Sequence, residues 1–119
     1  KDINTDNILV IANRNISQAL RISDQLVVSV PVPYDEKTEK IDRLMEIIVA
    51  QIKENENVKD AKYLGLSEFE DSAVIYKILI QCSPEYKLSV RRAALRIIKI
   101  SLDKSNITIP YPQLDVHNV

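Results

Sequence analysis

The chain has 119 residues, with 16 Lys and Arg against 17 Asp and Glu, 45% hydrophobic residues and a single Gly, Cys, Met and His. That length fits one domain, or one plus part of a second, and the ordinary globular composition excludes collagen-like and disordered classes. A net charge of −1 argues against a dominant nucleic-acid footprint, which needs a strong basic excess. The lone Cys82 excludes an internal disulfide and a cysteine-based zinc site. With one Gly there is no glycine-rich loop to bring backbone amides onto a phosphate. No apolar run approaches the roughly 18–20 residues that cross a bilayer, and no signal-peptide pattern opens the chain. The first residue is Lys1 rather than Met, so a processed or excised piece is expected.

Residues 8–12, Ile-Leu-Val-Ile-Ala, read as a strand ending in the Asn-rich turn at Asn13-Arg14-Asn15. Leu26, Val28, Val30 and Val32 alternate on one face and predict the next clear strand. Pro31 and Pro33 lack donors on one side, so that strand is expected to border an open edge. Asp35-Glu36 opens a helix whose stripe is Ile41, Leu44, Met45, Ile48 and Ile52, and Asn55-Glu56-Asn57 ends it. Residues 58–69 predict a strand broken at Gly65, with a turn over 68–72. Val74, Tyr76, Ile78, Ile80 and Cys82 alternate along the returning strand of the hairpin. Ser83-Pro84-Glu85 predicts a helix start, Ser as cap and Pro in the first turn. That helix places Leu88, Leu95, Ile98 and Leu102 on an inner face and Arg92, Arg96 and Lys99 on another. Asp103-Lys104-Ser105-Asn106 closes it, and 107–109 predicts a last strand stopped by Pro110-Tyr111-Pro112.

From Gln25 the order is β-α-β-β-α-β, which predicts an α+β, ferredoxin-like two-layer sandwich with both helices on one sheet face. Residues 1–24 read as the truncated end of a separate β domain, 25–112 as the α/β domain, and 113–119 as a short oligomerisation strand.

Little in the chain suggests catalysis. His117, beside Asp115 near the end, has no second imidazole or thiol pair to make a metal site and reads as an exposed tail residue. Cys82 precedes a helix start, where a thiol gains acidity, but without a nearby base it reads as buried structural cysteine. Glu68, Glu70 and Asp71 share a turn and lack the pocket that acid–base work requires. Arg91, Arg92, Arg96, Lys99 and Lys104 give the second helix a basic face. An RNA platform would also need sheet aromatics on which bases stack. No enzyme, metal or cofactor is expected. The tail carries the functional signal: Pro110 and Pro112 fix an extended course, and the strand-like run beyond a closed domain reads either as a frayed terminus or, more sharply, as tails from several subunits pairing into a small barrel.

That tail, from Asn106 to His117 (NITIPYPQLDVH), resembles the C-terminal signature of the small-conductance mechanosensitive channels (MscS-type), with both prolines and Gln113 in register. Tyr34-Asp35 before the first helix and Ile11-Ala12-Asn13 also fit, although Ala12 stands where that family has proline. The resemblance implies a homoheptamer in the cell membrane, its transmembrane helices preceding this cytoplasmic-side part. It also implies a hollow cage with side portals that filters ions and small osmolytes to a pore opened by membrane tension in hypo-osmotic shock. On that basis Pro110, Tyr111, Pro112, Gln113, Leu114, Asp115 and Val116 form the barrel strand, and Glu36, Lys37, Glu39 and Lys40 line portals. The partner implied is the chain itself, not nucleic acid. The residues alone leave two alternatives: a free-standing ferredoxin-like module binding a small regulatory ligand, and a weak RNA-binding module.

Overall fold

Alternation of branched apolar residues does produce the strand expected after Asp24. The computed structural model describes residues 22–110, and in it β1 spans Gln25–Val32 with Val28, Val30 and Val32 fully buried. Helix α1 follows over Thr38–Ile52, then strands β2 (Asp60–Phe69) and β3 (Val74–Gln81), then helix α2 (Lys87–Lys104). Short 3-10 turns at Ile22–Asp24 and Pro84–Tyr86 precede β1 and α2.

The sheet order is β1-β3-β2, and β3 is antiparallel to both neighbours. β1 and β2 therefore run parallel with β3 inserted between them, a split βαβ unit. α1 packs over β2 and α2 over β1, both on the face that carries Val74, Tyr76, Ile78 and Ile80. β1 is an edge strand, as its prolines require, and Pro31 lies opposite Ile75. β2 is irregular. Its register with β3 shifts between Tyr63 and Gly65 and again between Leu66 and Glu68, and Gly65 has φ +100. Glycine alone takes that backbone region without strain, so the break expected there is a bulge rather than a strand end. The hairpin closes more tightly than the 68–72 turn expected, because the Glu70 N–H donates to the Ala73 carbonyl at 2.8 Å and keeps Glu68 and Phe69 inside β2.

Both helices start later than the sequence suggested. The Pro33 carbonyl accepts the Glu36 N–H at 3.2 Å, so 33–36 is a turn and α1 begins at Thr38. Ser83 accepts the Tyr86 N–H at 2.9 Å through its backbone carbonyl, while its side chain makes no cap bond, so Pro84 opens a 3-10 turn and α2 begins at Lys87. α1 ends where expected, the Asn55 side chain accepting the Asn57 N–H at 2.8 Å.

Two expectations fail. The inner stripe of α2 is Val90, Ala94, Ile98, Ser101 and Leu102, whereas Leu88 and Leu95 are 60% and 40% exposed. The small Ala94 lets the helix approach the sheet, and the leucines flank that contact line. Residues 107–109 form no strand. Asn106 takes φ 61, the Ile107 N–H donates to the Leu102 carbonyl at 2.9 Å, and the Asn106 N–H donates to the Asp103 carbonyl at 3.1 Å. This is a Schellman cap with its hydrophobic contact: Ile107 and Leu102 are both buried. Ile107 is thus committed to the helix end instead of to a ladder.

Ile78→Ala, at a fully buried position of the central strand, is expected to cost about 2–5 kcal/mol. Leu95→Ala is expected to stay within about 0.5 kcal/mol. Urea unfolding of the two variants checks both, and equal costs would contradict the outward placement of Leu95.

Candidate functional site

Three surface features stand out once the core is assigned. The first is the hairpin end of the sheet, where β1, β2 and β3 meet the turn at 70–73. Phe69 closes β2 and is 69% exposed, and Tyr34, just after Pro33, stacks on it with centroids 6.3 Å apart and planes at 17°. The Tyr34 hydroxyl donates to the Glu70 carbonyl, which fixes the ring over the hairpin. Asp35, Glu70 and Asp71 are exposed around this pair. Among the described residues neither Glu70 nor Asp71 makes an ion pair, while Glu68 lies 4.0 Å from Lys77. No sequence period links Tyr34 to Phe69, because their stacking follows from the three-strand register.

The second is a groove of about 400 Å³ lined by Ser29, Pro31, Glu68, Ile75, Lys77 and Pro110 among others. A smaller one of about 220 Å³ is lined by Lys99, Asp103, Thr108, Ile109 and Pro110. Pro110 lines both, beside Ser29 and Pro31 of β1 in the first and beside Lys99 and Asp103 of α2 in the second. The third is the start of α1, where Lys40 Nζ lies 2.9 Å from Glu36 Oε1, with Lys37 and Glu39 exposed beside them. Of the other expected oligomerisation residues, Tyr111, Pro112, Gln113, Leu114, Asp115 and Val116 lie outside the described residues, as does His117.

The side chains weighed as nucleophile or acid–base candidates take structural positions where they are described. Cys82 is fully buried, and burial pushes its thiol pKa up, only partly offset by Lys87. That is the opposite of an activated nucleophile. Tyr63 donates to Asp42 Oδ1 at 2.5 Å across to α1, and burial, then that bond, push its pKa up. Tyr76 donates to Thr38 Oγ1 at 3.4 Å. Both tyrosines thus pin β-strands to α1. No group of three metal-ligating side chains occurs among the described residues. The sheet face away from the helices presents Val27, Ser29, Pro31, Lys77 and Leu79 and no aromatic ring, so it offers nothing on which bases would stack. The basic side chains Arg91, Arg92 and Arg96 are exposed along α2, and Lys99 pairs with Asp103 at 2.7 Å. No described helix is long and apolar enough to cross a membrane.

The raised thiol and phenol pKa values fix the direction of an alkaline effect. Each group stays protonated in the folded chain at a pH where the unfolded chain has released its proton, so stability is complete below the unfolded values and falls above them. Loss is expected to begin above about pH 8.5 through Cys82 and to steepen above about pH 10 through Tyr63. Denaturant midpoints measured from pH 7 to 11 check this, and Cys82→Ala should flatten only the first part of the decline.

Residues 26–109 match the family described as "Mechanosensitive ion channel MscS, C-terminal". A curated protein of Buchnera aphidicola subsp. Schizaphis graminum (strain Sg), described as an uncharacterized MscS family protein, is 33% identical over 92 residues, covering 75% of this chain and 31% of its own length. The crystal structure of Helicobacter pylori MscS in the closed state shares the fold, with a TM-score of 0.62 at 21% identity over 75% of this chain and 35% of that one. The chain spans about a third of the length of these relatives. Because the family match runs from β1 through α2 to Ile109, this chain belongs to the MscS family of mechanosensitive ion channels and carries its C-terminal domain.

Proposed function

We propose that this chain is the cytoplasmic cage part of a tension-gated channel, working by assembly. The observation that carries the reading is the family match over residues 26–109, which coincides with the folded β1-to-α2 unit. The relatives are about three times longer; in this reading the rest of the protein supplies the membrane-spanning pore and places it in the cell membrane. In this reading residues 1–24 are the end of a β domain, 25–112 the α+β domain with its three-stranded sheet, and 113–119 a strand that pairs with those of six other subunits. Pro110 to Val116 belong to that barrel strand in this reading, and Pro110 lines a groove beside Ser29 and Pro31 of β1. Glu36, Lys37, Glu39 and Lys40 border portals through which ions and small osmolytes reach the pore. Membrane tension acts on the membrane part, and the cage holds the subunits in register and filters what enters.

Reconstituted in liposomes, the full-length protein is expected to pass current in patches under suction and to stay closed without it. A protein inserted and folded but silent at lytic tension would overturn the channel reading. Deleting residues 113–119 from the same protein is expected to leave the α/β domain folded while weakening subunit assembly, read as native mass in detergent. A truncated protein that assembles as tightly as the intact one would rule out the barrel strand.

A further inference from the structure

The two ends of this domain carry opposite, unsatisfied chemistry. α2 begins where β3 ends, at Gln81, whereas the 70–73 turn lies at the other end of β3, eight residues away. At roughly 3.4 Å per residue those ends are about 25 Å apart. At the hairpin end the stacked Tyr34 and Phe69 project among Asp35, Glu70 and Asp71. At the other end, the outward side of the first half of α2 shows Leu88 and Leu95 among Lys87, Arg91, Arg92 and Arg96; the helix contains no acidic residue before Asp103, and the one acid directly before it is Glu85 in the preceding turn. None of these three arginines makes an ion pair among the described residues, and neither do Glu70 and Asp71.

We infer that the hairpin end of one subunit docks on the first half of α2 of the next. An aromatic anchor already held in place by the Tyr34 hydroxyl loses little freedom on binding, and aromatic residues and arginine are the side chains that dominate protein interfaces. Seating Phe69 between Leu88 and Leu95 brings Glu70 and Asp71 against Arg91 and Arg92, so apolar and charged parts are complementary together. The occupant is a second copy because both halves are present on each chain: a head-to-tail contact satisfies both ends of every copy, which a foreign partner would not. Different surfaces meeting in this way give a heterologous interface, the kind that closes into rings. The contact rests on the proposed self-assembly and names the surfaces that would carry it.

The test uses the full-length protein in membranes, treated with a short bis-maleimide. With any cysteine outside this chain replaced by serine, Phe69→Cys combined with Leu95→Cys is expected to give a ladder of covalent multimers, and each single substitution none, since Cys82 is buried. Cross-linking by Phe69→Cys alone would mean a symmetric contact and overturn the proposal. A ladder from Ile47→Cys with Leu95→Cys, and none from the Phe69 pair, would place the partner surface on α1 and overturn it as well. Glu70→Lys with Asp71→Lys, or Arg91→Glu with Arg92→Glu, is expected to raise the concentration at which the assembly dissociates by about tenfold or more, and combining the four to restore it. An unsubstituted protein of multimeric native mass with no Phe69–Leu95 ladder defeats this contact and spares the assembly reading. A monomeric native mass defeats both.

Discussion

The middle position of β3 is the constraint on which the rest of this domain depends. β1 and β2 are parallel and never touch; only the last strand of the three, inserted between them, supplies hydrogen-bond partners to both. Without β3 the two outer strands would stand two strand spacings apart, roughly 10 Å, with no backbone partner on their inner edges. Its side chains hold the helices too. Val74, Tyr76, Ile78 and Ile80 all point into the core, and the Tyr76 hydroxyl reaches Thr38 at the first position of α1. A register slip of one residue would turn that whole set onto the open face.

Because β3 takes the centre, the sheet has two free edges, and both are blunted. β1 carries Pro31, which has no donor to offer a foreign strand. β2 has two register shifts and a positive-φ glycine, which bend the strand and interrupt its ladder. Strand addition is therefore a poor route to association for this domain. What remains for contact is side-chain surface, which includes exposed large side chains at both ends of β3: Tyr34 and Phe69 at one, Tyr86 and Leu88 at the other.

Much of this was legible from residue periods alone. Period-two alternation located β1 and β3, the three-and-four spacing of Ile41, Met45, Ile48 and Ile52 located α1, and the tail motif pointed to the family that residues 26–109 match. The failures share a cause. In α2, large aliphatic residues occur on both the inner and the flanking sides, so counting leucines selects Leu88 and Leu95 over the true contact line at Val90 and Ala94. At 107–109 the alternation of Ile107 and Ile109 suits a strand, but the Schellman cap claims Ile107 and β1 presents a proline at its edge. A one-dimensional pattern records which side chains prefer burial and not which partner buries them. The Tyr34–Phe69 stack is illegible for the same reason, since it is created by the sheet register between residues 35 positions apart.

Net charge misleads here in an instructive way. A value of −1 suggests an electrostatically bland surface, yet it averages over a basic first half of α2 and an acidic hairpin at opposite ends of β3. Such a separation does nothing for the fold, because the charges concerned are exposed and a solvated ion pair contributes little. It does bias how two copies meet. Like ends repel and unlike ends attract, so a symmetric dimer through either end is disfavoured and a head-to-tail row is favoured.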